Sequence, residues 1–273
     1  MAGYAYERLS AQDAGFLWAE NPDNAMHVGA LALFEADPLK CEDGSIDLKR
    51  YRAQVESILH WIPRYRQKIE WTPVEEWPIW VDDRQFDIGY HIRHLALPKP
   101  GTTDQLRELV ARINARRLDR RHPLWEVWVI EGIAGGEQFA ILNKIHHCMI
   151  DGAAGADLSQ ILMSPSPRFE EAEPLPYMPR PQPSPSELLA DSVKLGVKRP
   201  LGLMRDVLRR ATSSQAELKA RGHDSSPEIA KRVASLAELA SQSFEGASPT
   251  PINGELGPHR RFEFLTMPLE DVK

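Results

Sequence analysis

Eight prolines fall between Ser164 and Ser186, at positions 165, 167, 174, 176, 179, 181, 183 and 185. Proline has no backbone N–H to give a sheet and cannot continue a helix, so no regular element can run through this stretch. It therefore divides the chain. Residues 1–163 are expected to form a folded domain, 164–257 a proline-rich linker with crossover helices, and 258–273 to open a further structural unit with a strand.

Before the prolines, elements can be read from periodicity. His27 to Phe34 (HVGALALF) is a short apolar run bounded by Asn24 and by Glu35-Ala36-Asp37-Pro38, which reads as a buried strand. Asp47 is a plausible N-cap. After it Leu48, Tyr51, Val55, Ile58, Leu59 and Ile62 recur at helical spacing until Pro63. Trp71 to Asp82 reads as strand and turn, Asp104 to Leu118 as a second amphipathic helix, and Trp125 to Glu131 with Gln138 to His147 as a hairpin turning at Gly135-Gly136. Strands and helices mix without a regular β-α-β rhythm, which argues an α+β fold built on a mixed sheet flanked by helices. After the prolines, helices are expected at about 186–211 and 227–243, and Arg260 to Lys273 (RRFEFLTMPLEDVK) starts as an alternating strand.

Composition excludes some functions. A net charge of -6 gives no reason to expect nucleic acid, whose partners carry a basic excess. Two cysteines, Cys41 and Cys148, in unlike contexts point to a reducing, cytoplasmic compartment. Residues 1–10 lack the apolar core of a signal peptide, and no run of about 18 apolar residues offers a membrane span. Six basic residues, Lys194, Lys198, Arg199, Arg205, Arg209 and Arg210, face only Asp191 and Asp206. That segment reads either as a surface for an anionic membrane or lipid droplet or as a solvated linker helix, which Pro200 interrupts.

The chemistry concentrates at His146-His147-Cys148-Met149-Ile150-Asp151-Gly152. Adjacent residues at the end of a strand project to opposite faces, so only one of the two histidines can face a given cleft. Ligands that diverge in this way argue against a metal, and no paired-cysteine or His-Glu-x-x-His spacing supplies others. A histidine facing a cleft is suited to accept a proton near neutral pH. His147 is read as that base and His146 as its support, with a buried histidine bonded to a backbone carbonyl as the plainer reading of either. Asp151 reads as a structural residue that caps a helix or pairs with an arginine, and Gly152 as the turn. Gly152-Ala153-Ala154-Gly155 could cradle a phosphate but more often lets helix and strand pack closely. Cys148 lacks a cation to stabilise a thiolate and reads as a packed side chain. His91, His94 and His122 read as surface or core residues, and of Trp125 and Trp128, on opposite faces, at least one reads as core.

HHCMIDG resembles the His-His-x-x-x-Asp-Gly motif of the CoA-dependent acyltransferase superfamily, which condensation domains and plant acyltransferases share. The flanking segments are similar to one branch, the bacterial wax ester synthase/diacylglycerol acyltransferases. They are SAQDAGF at 10–16, MHVG at 26–29, PRYRQ at 63–67, FDIGYHIR at 86–93, LDRRHPLWE at 118–126 and TPIN at 250–253, in the branch's order. The resemblance implies half of a chloramphenicol-acetyltransferase-like fold, with acyl-CoA and an acceptor alcohol meeting in a tunnel between two halves. In that scheme His147 deprotonates the hydroxyl of a diacylglycerol or long-chain alcohol, which attacks the thioester without a covalent intermediate. No cofactor is needed, acyl-CoA being a co-substrate, and no Gly-x-Ser-x-Gly elbow offers a serine route. Pro123, Leu124, Trp125 and Glu126 match a segment implied to shape the substrate channel. The C-terminal half expected of the family is absent from this chain, so it is expected on the same or a separate polypeptide, and this piece alone is expected to be inactive. Two other functions share these features: a non-catalytic lipid-surface or assembly module, and a condensation or transacylation domain charged by a carrier protein.

Overall fold

The structure is a computed structural model that describes residues 6–150, 174–193 and 257–272. Two units are distinguished, Met1–Ser184 with Leu256–Lys273, and Pro185–Glu255, and of the second unit residues 185–193 are described as helical.

The first unit runs β1 (Glu7–Arg8), α1 (Ala11–Ala19), β2 (His27–Glu35), α2 (Leu48–Ile58), β3 (Gln67–Trp71), β4 (Pro78–Asp82), α3 (Ile88–His91), β5 (Ile92–Ala96), α4 (Thr103–Asn114), β6 (Trp125–Ile133) and β7 (Gln138–His146). Side chains start the helices as the sequence suggests. Ser10 accepts the Asp13 N–H at 3.1 Å, Asp47 accepts that of Arg50 at 2.9 Å, and Thr102 with Gln105 closes a capping box.

The central sheet has the order β2-β7-β6-β5, antiparallel except for the parallel pair β5 and β6, whose crossover carries α4. Alternation divides its two faces. Trp125, Val127 and Val129 of β6, with Phe139, Ile141 and Ile145 of β7, pack with Val55 and Leu59 of the α2 region. Trp128, Ile130, Ala140 and Leu142 point the other way, onto Leu106, Val110 and Ile113 of α4. By the same period Lys144 and His146 of β7 lie on the α4 side. A second sheet, β1-β4-β3, is antiparallel. Its Ile69 and Trp80 pack with Ala14 and Leu17 of α1, with Leu118 and Leu124, and with Cys148 just beyond β7.

Three expectations change. The helix read as Asp104 to Leu118 ends at Asn114, because Leu118 belongs with Leu124 and Cys148 and the chain must leave the helix to reach them. The strand read as Gln138 to His147 ends at His146, and His147 opens a tight turn, His147–Met149. Arg260 to Lys273 forms no strand among the described residues. Its alternation has another origin: Phe262 and Phe264 lie against the α4-side core, and Arg107 donates to the Phe264 carbonyl at 2.8 Å.

The proline-rich stretch is fastened where it is described. Its prolines have no N–H to offer, so side chains hold most of it, joined by the Arg180 N–H, which donates to Asp82 Oδ2 at 2.9 Å. The Tyr177 hydroxyl donates to the Arg66 carbonyl at 3.0 Å, and Arg180 grips the Asp82 carboxylate at 2.8 and 2.9 Å. Gln182 donates to the Asp82 carbonyl at 3.0 Å. Burial alone would raise the Asp82 carboxyl, but the bonds from Arg180 and Gln67 bring it down to about 2.

Candidate active site

β7 delivers the two histidines, and the backbone beyond it separates them. The His146 N–H donates to Leu124 at 2.9 Å and the His147 N–H to Met26 at 2.8 Å, so the dipeptide is stapled between the loops preceding β6 and β2. The turn at His147–Met149 then swings the second ring away from the strand face.

His146 is fully buried, at 0% exposure. Its Nδ1 accepts the Cys148 N–H at 3.1 Å. Burial, then the neighbouring Arg120 and His147, lower its pKa to about 4, so the ring is neutral at physiological pH. A nitrogen that accepts carries no proton, and the proton of this neutral ring therefore sits on Nε2, which faces Glu20 Oε1 at 3.7 Å.

His147 is half-buried. The Phe16 ring of α1 stacks on it, centroids 4.0 Å apart and planes 18° from parallel. Its Nδ1 is sealed from solvent, with no hydrogen-bond partner among the described residues. Beside the turn a cleft of about 460 Å³ is lined by Ser10, Asp13, Arg64, Trp80, Met149 and Ile150, among others. Asp151 and Gly152, expected to set the turn, lie outside the described residues, as do the small residues to Gly155 and the basic stretch Lys194 to Arg210.

A charged layer that sequence reasoning missed lies behind the histidines. Glu20, with a side chain 1% exposed, is gripped by Arg120 through Nη2 at 2.9 Å and Nε at 3.2 Å. Lys144 is 1% exposed and donates to Ile113 at 3.0 Å and to Arg116, closing the end of α4. Burial, opposed by Glu126, lowers its pKa to about 8. His27, opposite His146 across β2 and β7, is held at about 4 by burial and by Lys144, against a hydrogen bond to Asn114. One signal was readable: Glu20 follows Leu17 by three residues, so it continues the inward face of α1.

The remaining residues have structural surroundings. Leu124 and Trp125, expected along a substrate channel, are 0% and 1% exposed. Trp125 Nε1 donates to Tyr65 at 2.8 Å, and its ring stacks on His91 at 4.3 Å. Glu126 pairs with Arg93 at 3.3 Å and accepts from Trp128 at 3.0 Å, and Pro123 is buried. In the described residues these side chains pack in the interior, and Leu124 meets the site through its carbonyl. Cys148 is 4% exposed, and burial pushes its thiol up to about 12, the opposite of what a nucleophile needs. His91 bonds the Trp125 carbonyl at 2.8 Å, His94 pairs with Glu131 at 3.2 Å, and His122 stacks on Tyr90 at 3.9 Å. Among the described residues no three His, Cys, Asp or Glu are grouped to hold a metal ion.

Residues 9–273 match the family described as wax ester synthase/diacylglycerol acyltransferase catalytic domain. A Mycobacterium tuberculosis protein named as a diacylglycerol O-acyltransferase, tgs3, is 31% identical over 97% of this chain and 94% of its own length. Another from the same organism is 32% identical over 98% of this chain but only 50% of its own length. The chain thus spans about half of that relative, and the same 50% holds for a further one. Among solved structures, a wax ester synthase/diacylglycerol acyltransferase from Marinobacter aquaeolei VT8 is 31% identical, covering 62% of this chain and 39% of that one, with a TM-score of 0.49.

Proposed function

We propose that this chain, which belongs to the wax ester synthase/diacylglycerol acyltransferase catalytic-domain family, supplies the general base for transfer of a long-chain acyl group from acyl-CoA to the hydroxyl of a diacylglycerol or a long-chain fatty alcohol. His147 is that base. The observation that carries the reading is the unequal treatment of two adjacent imidazoles: one is fully buried and neutral, the other half-buried and stacked on Phe16, with its Nδ1 sealed from solvent.

In the reaction, Nε2 of His147 takes the acceptor's hydroxyl proton as the oxygen attacks the thioester carbonyl. The tetrahedral intermediate collapses, the C–S bond breaks, and the CoA thiolate leaves and recovers the proton from the imidazolium. The products are an ester and CoA thiol, with no covalent enzyme intermediate and no bound cofactor. Gains come from holding two substrates in line and from the base, the latter worth about 10²–10⁴-fold. Pro123 to Glu126 hold the base from behind, through the Leu124 carbonyl that receives the His146 N–H.

The fold of this half is proposed to be chloramphenicol-acetyltransferase-like, and the facing half of the tunnel to come from the same or a separate polypeptide. We place the enzyme in the cytoplasm, resting against a membrane or lipid droplet where its oily acceptor resides. Among the described residues no helix is long and apolar enough to cross a membrane.

The test incubates the chain, with any companion polypeptide, with labelled palmitoyl-CoA and either diolein or hexadecanol. Labelled triacylglycerol or wax ester is expected from the wild type and is expected to fall by about 10²–10⁴-fold in His147→Ala. Ester formation at an undiminished rate in His147→Ala would remove the base from the mechanism.

A further inference from the structure

Two lines of contact reach toward His147 from the buried carboxylate of Glu20, and a third starts from the backbone of the same residue. We propose that Glu20 is a positioning residue for the acyl transfer, setting the His147 ring through His146, through Met26 and through the helix end that carries Phe16. The proposal rests on the reading of His147 as the base.

The first line runs through His146. The Cys148 N–H occupies Nδ1 at 3.1 Å, so the ring turns Nε2–H toward Glu20 Oε1, which stands 3.7 Å away, beyond hydrogen-bond distance but near enough to act on the proton by its charge. The carboxylate thus favours the tautomer that lets Nδ1 hold the first turn beyond His147. The second line runs through one residue, Met26. Its N–H donates to Glu20 Oε1 at 3.4 Å, and its carbonyl receives the His147 N–H at 2.8 Å. The third is the helix end. The Glu20 N–H donates to the Phe16 carbonyl at 3.2 Å, and the Phe16 ring lies on His147.

The two carboxylate oxygens divide these contacts. Oε2 takes both bonds from Arg120, whose Nη2 also donates to the Leu17 carbonyl at 2.6 Å and so clamps the last turn of α1. Oε1 is left for Met26 and His146. Because Arg120 balances the charge, Glu20 does not act mainly by stabilising an imidazolium. Its part is geometric. A brace needed only for folding would require the ion pair, but not a second oxygen set between the Met26 N–H and the His146 ring.

The experiment uses the full chain with any companion polypeptide. It measures kcat, KM for palmitoyl-CoA and for diolein, the thermal midpoint, and the tautomer of His146 by ¹⁵N-histidine NMR. In the wild type His146 is expected as the neutral Nε2–H form, and finding its proton on Nδ1 overturns the proposal before any variant is made. Glu20→Gln is expected to lower kcat by about 10- to 100-fold with both KM values nearly unchanged, the scale of a displacement of about 1 Å at a reacting group. Its His146 signal is expected to shift toward a tautomer mixture. Should Glu20→Gln fail to fold, Arg120→Lys keeps the cation but loses the fork, and is expected to show the same split between kcat and KM. Wild-type kcat in the folded variant, with His147→Ala still inactive, overturns the positioning role and leaves the base in place. A loss of rate that only tracks the folded fraction, with the His146 signal unmoved, also overturns it. Activity persisting in His147→Ala instead sinks the reading on which this one stands.

Discussion

Lys144→Met should change sign in its effect on stability as pH rises. The ammonium is 1% exposed, and burial lowers its pKa from 10.5 to about 8. Below pH 8 both folded and unfolded chains hold the proton, and the folded state bears the full cost of burying charge. Between about 8 and 10.5 the unfolded chain binds a proton that the folded chain has released, so folding gains as pH rises, by about 3 kcal/mol across the window. Methionine keeps the length but loses the bonds to Ile113 and Arg116, about 2 kcal/mol together. The variant should therefore match or exceed the wild type by about 1 kcal/mol at pH 7 and fall about 2 kcal/mol below it at pH 10.5. Urea unfolding of both proteins at several pH values, followed by tryptophan fluorescence, gives the difference with other titrations cancelled. A difference that stays constant from pH 7 to 10.5 would refute the reasoning, since Lys144 would then not ionise in that window.

Phe16→Ala removes the ring stacked on His147, worth about 1 kcal/mol, and steady-state assays should show kcat about fivefold lower, with Phe16→Leu between the two. Iodoacetamide at pH 8 should alkylate exposed Cys41 and spare Cys148 in the native protein, and Cys148→Ala should keep its ester-forming activity; rapid native labelling of Cys148, read by peptide mass spectrometry, would contradict its burial. Because the Asp82 carboxyl is lowered to about 2, its bond to Arg180 stabilises fully above the ordinary value of 3.8 and is lost as pH falls toward 2. Limited pepsin digestion should accordingly cut residues 174–184 faster as pH drops through that range, whereas Asp82→Asn should be cut readily throughout.

Elements driven by their own periodicity were legible before any coordinates. β2, α2 and the β6 and β7 hairpin each carry enough apolar residues at one spacing to declare a face, and Asp47 marks its helix start as expected. β1 is only two residues long, Glu7 and Arg8, and exists because β4 lies beside it. No local pattern could announce it. The stretch RFEFL at 261–265 shows the opposite error, since alternation reports which side chains meet the protein and not whether a neighbouring strand is there to pair. At the site, His147 was legible as one of two unlike histidines, but the turn that separates them was not. Lys144 sits in a run read as plain strand, and only the docking of α4 shows that its inward position meets unfilled carbonyls. Glu20 and Arg120 are 100 residues apart, and nothing local ties them.

The bulge between Ile130 and Ile133 pins β6 against β7. Two identical residues stand in succession at the end of β7, so sliding that strand by one position would still leave an imidazole in the inner slot while moving Cys148 into the outer one. The inner slot would then hold the ring of His147, and the outer one a thiol with no imidazole at all. Composition offers no protection against that error. Only the pinned alignment decides which histidine is buried and which stays half-open.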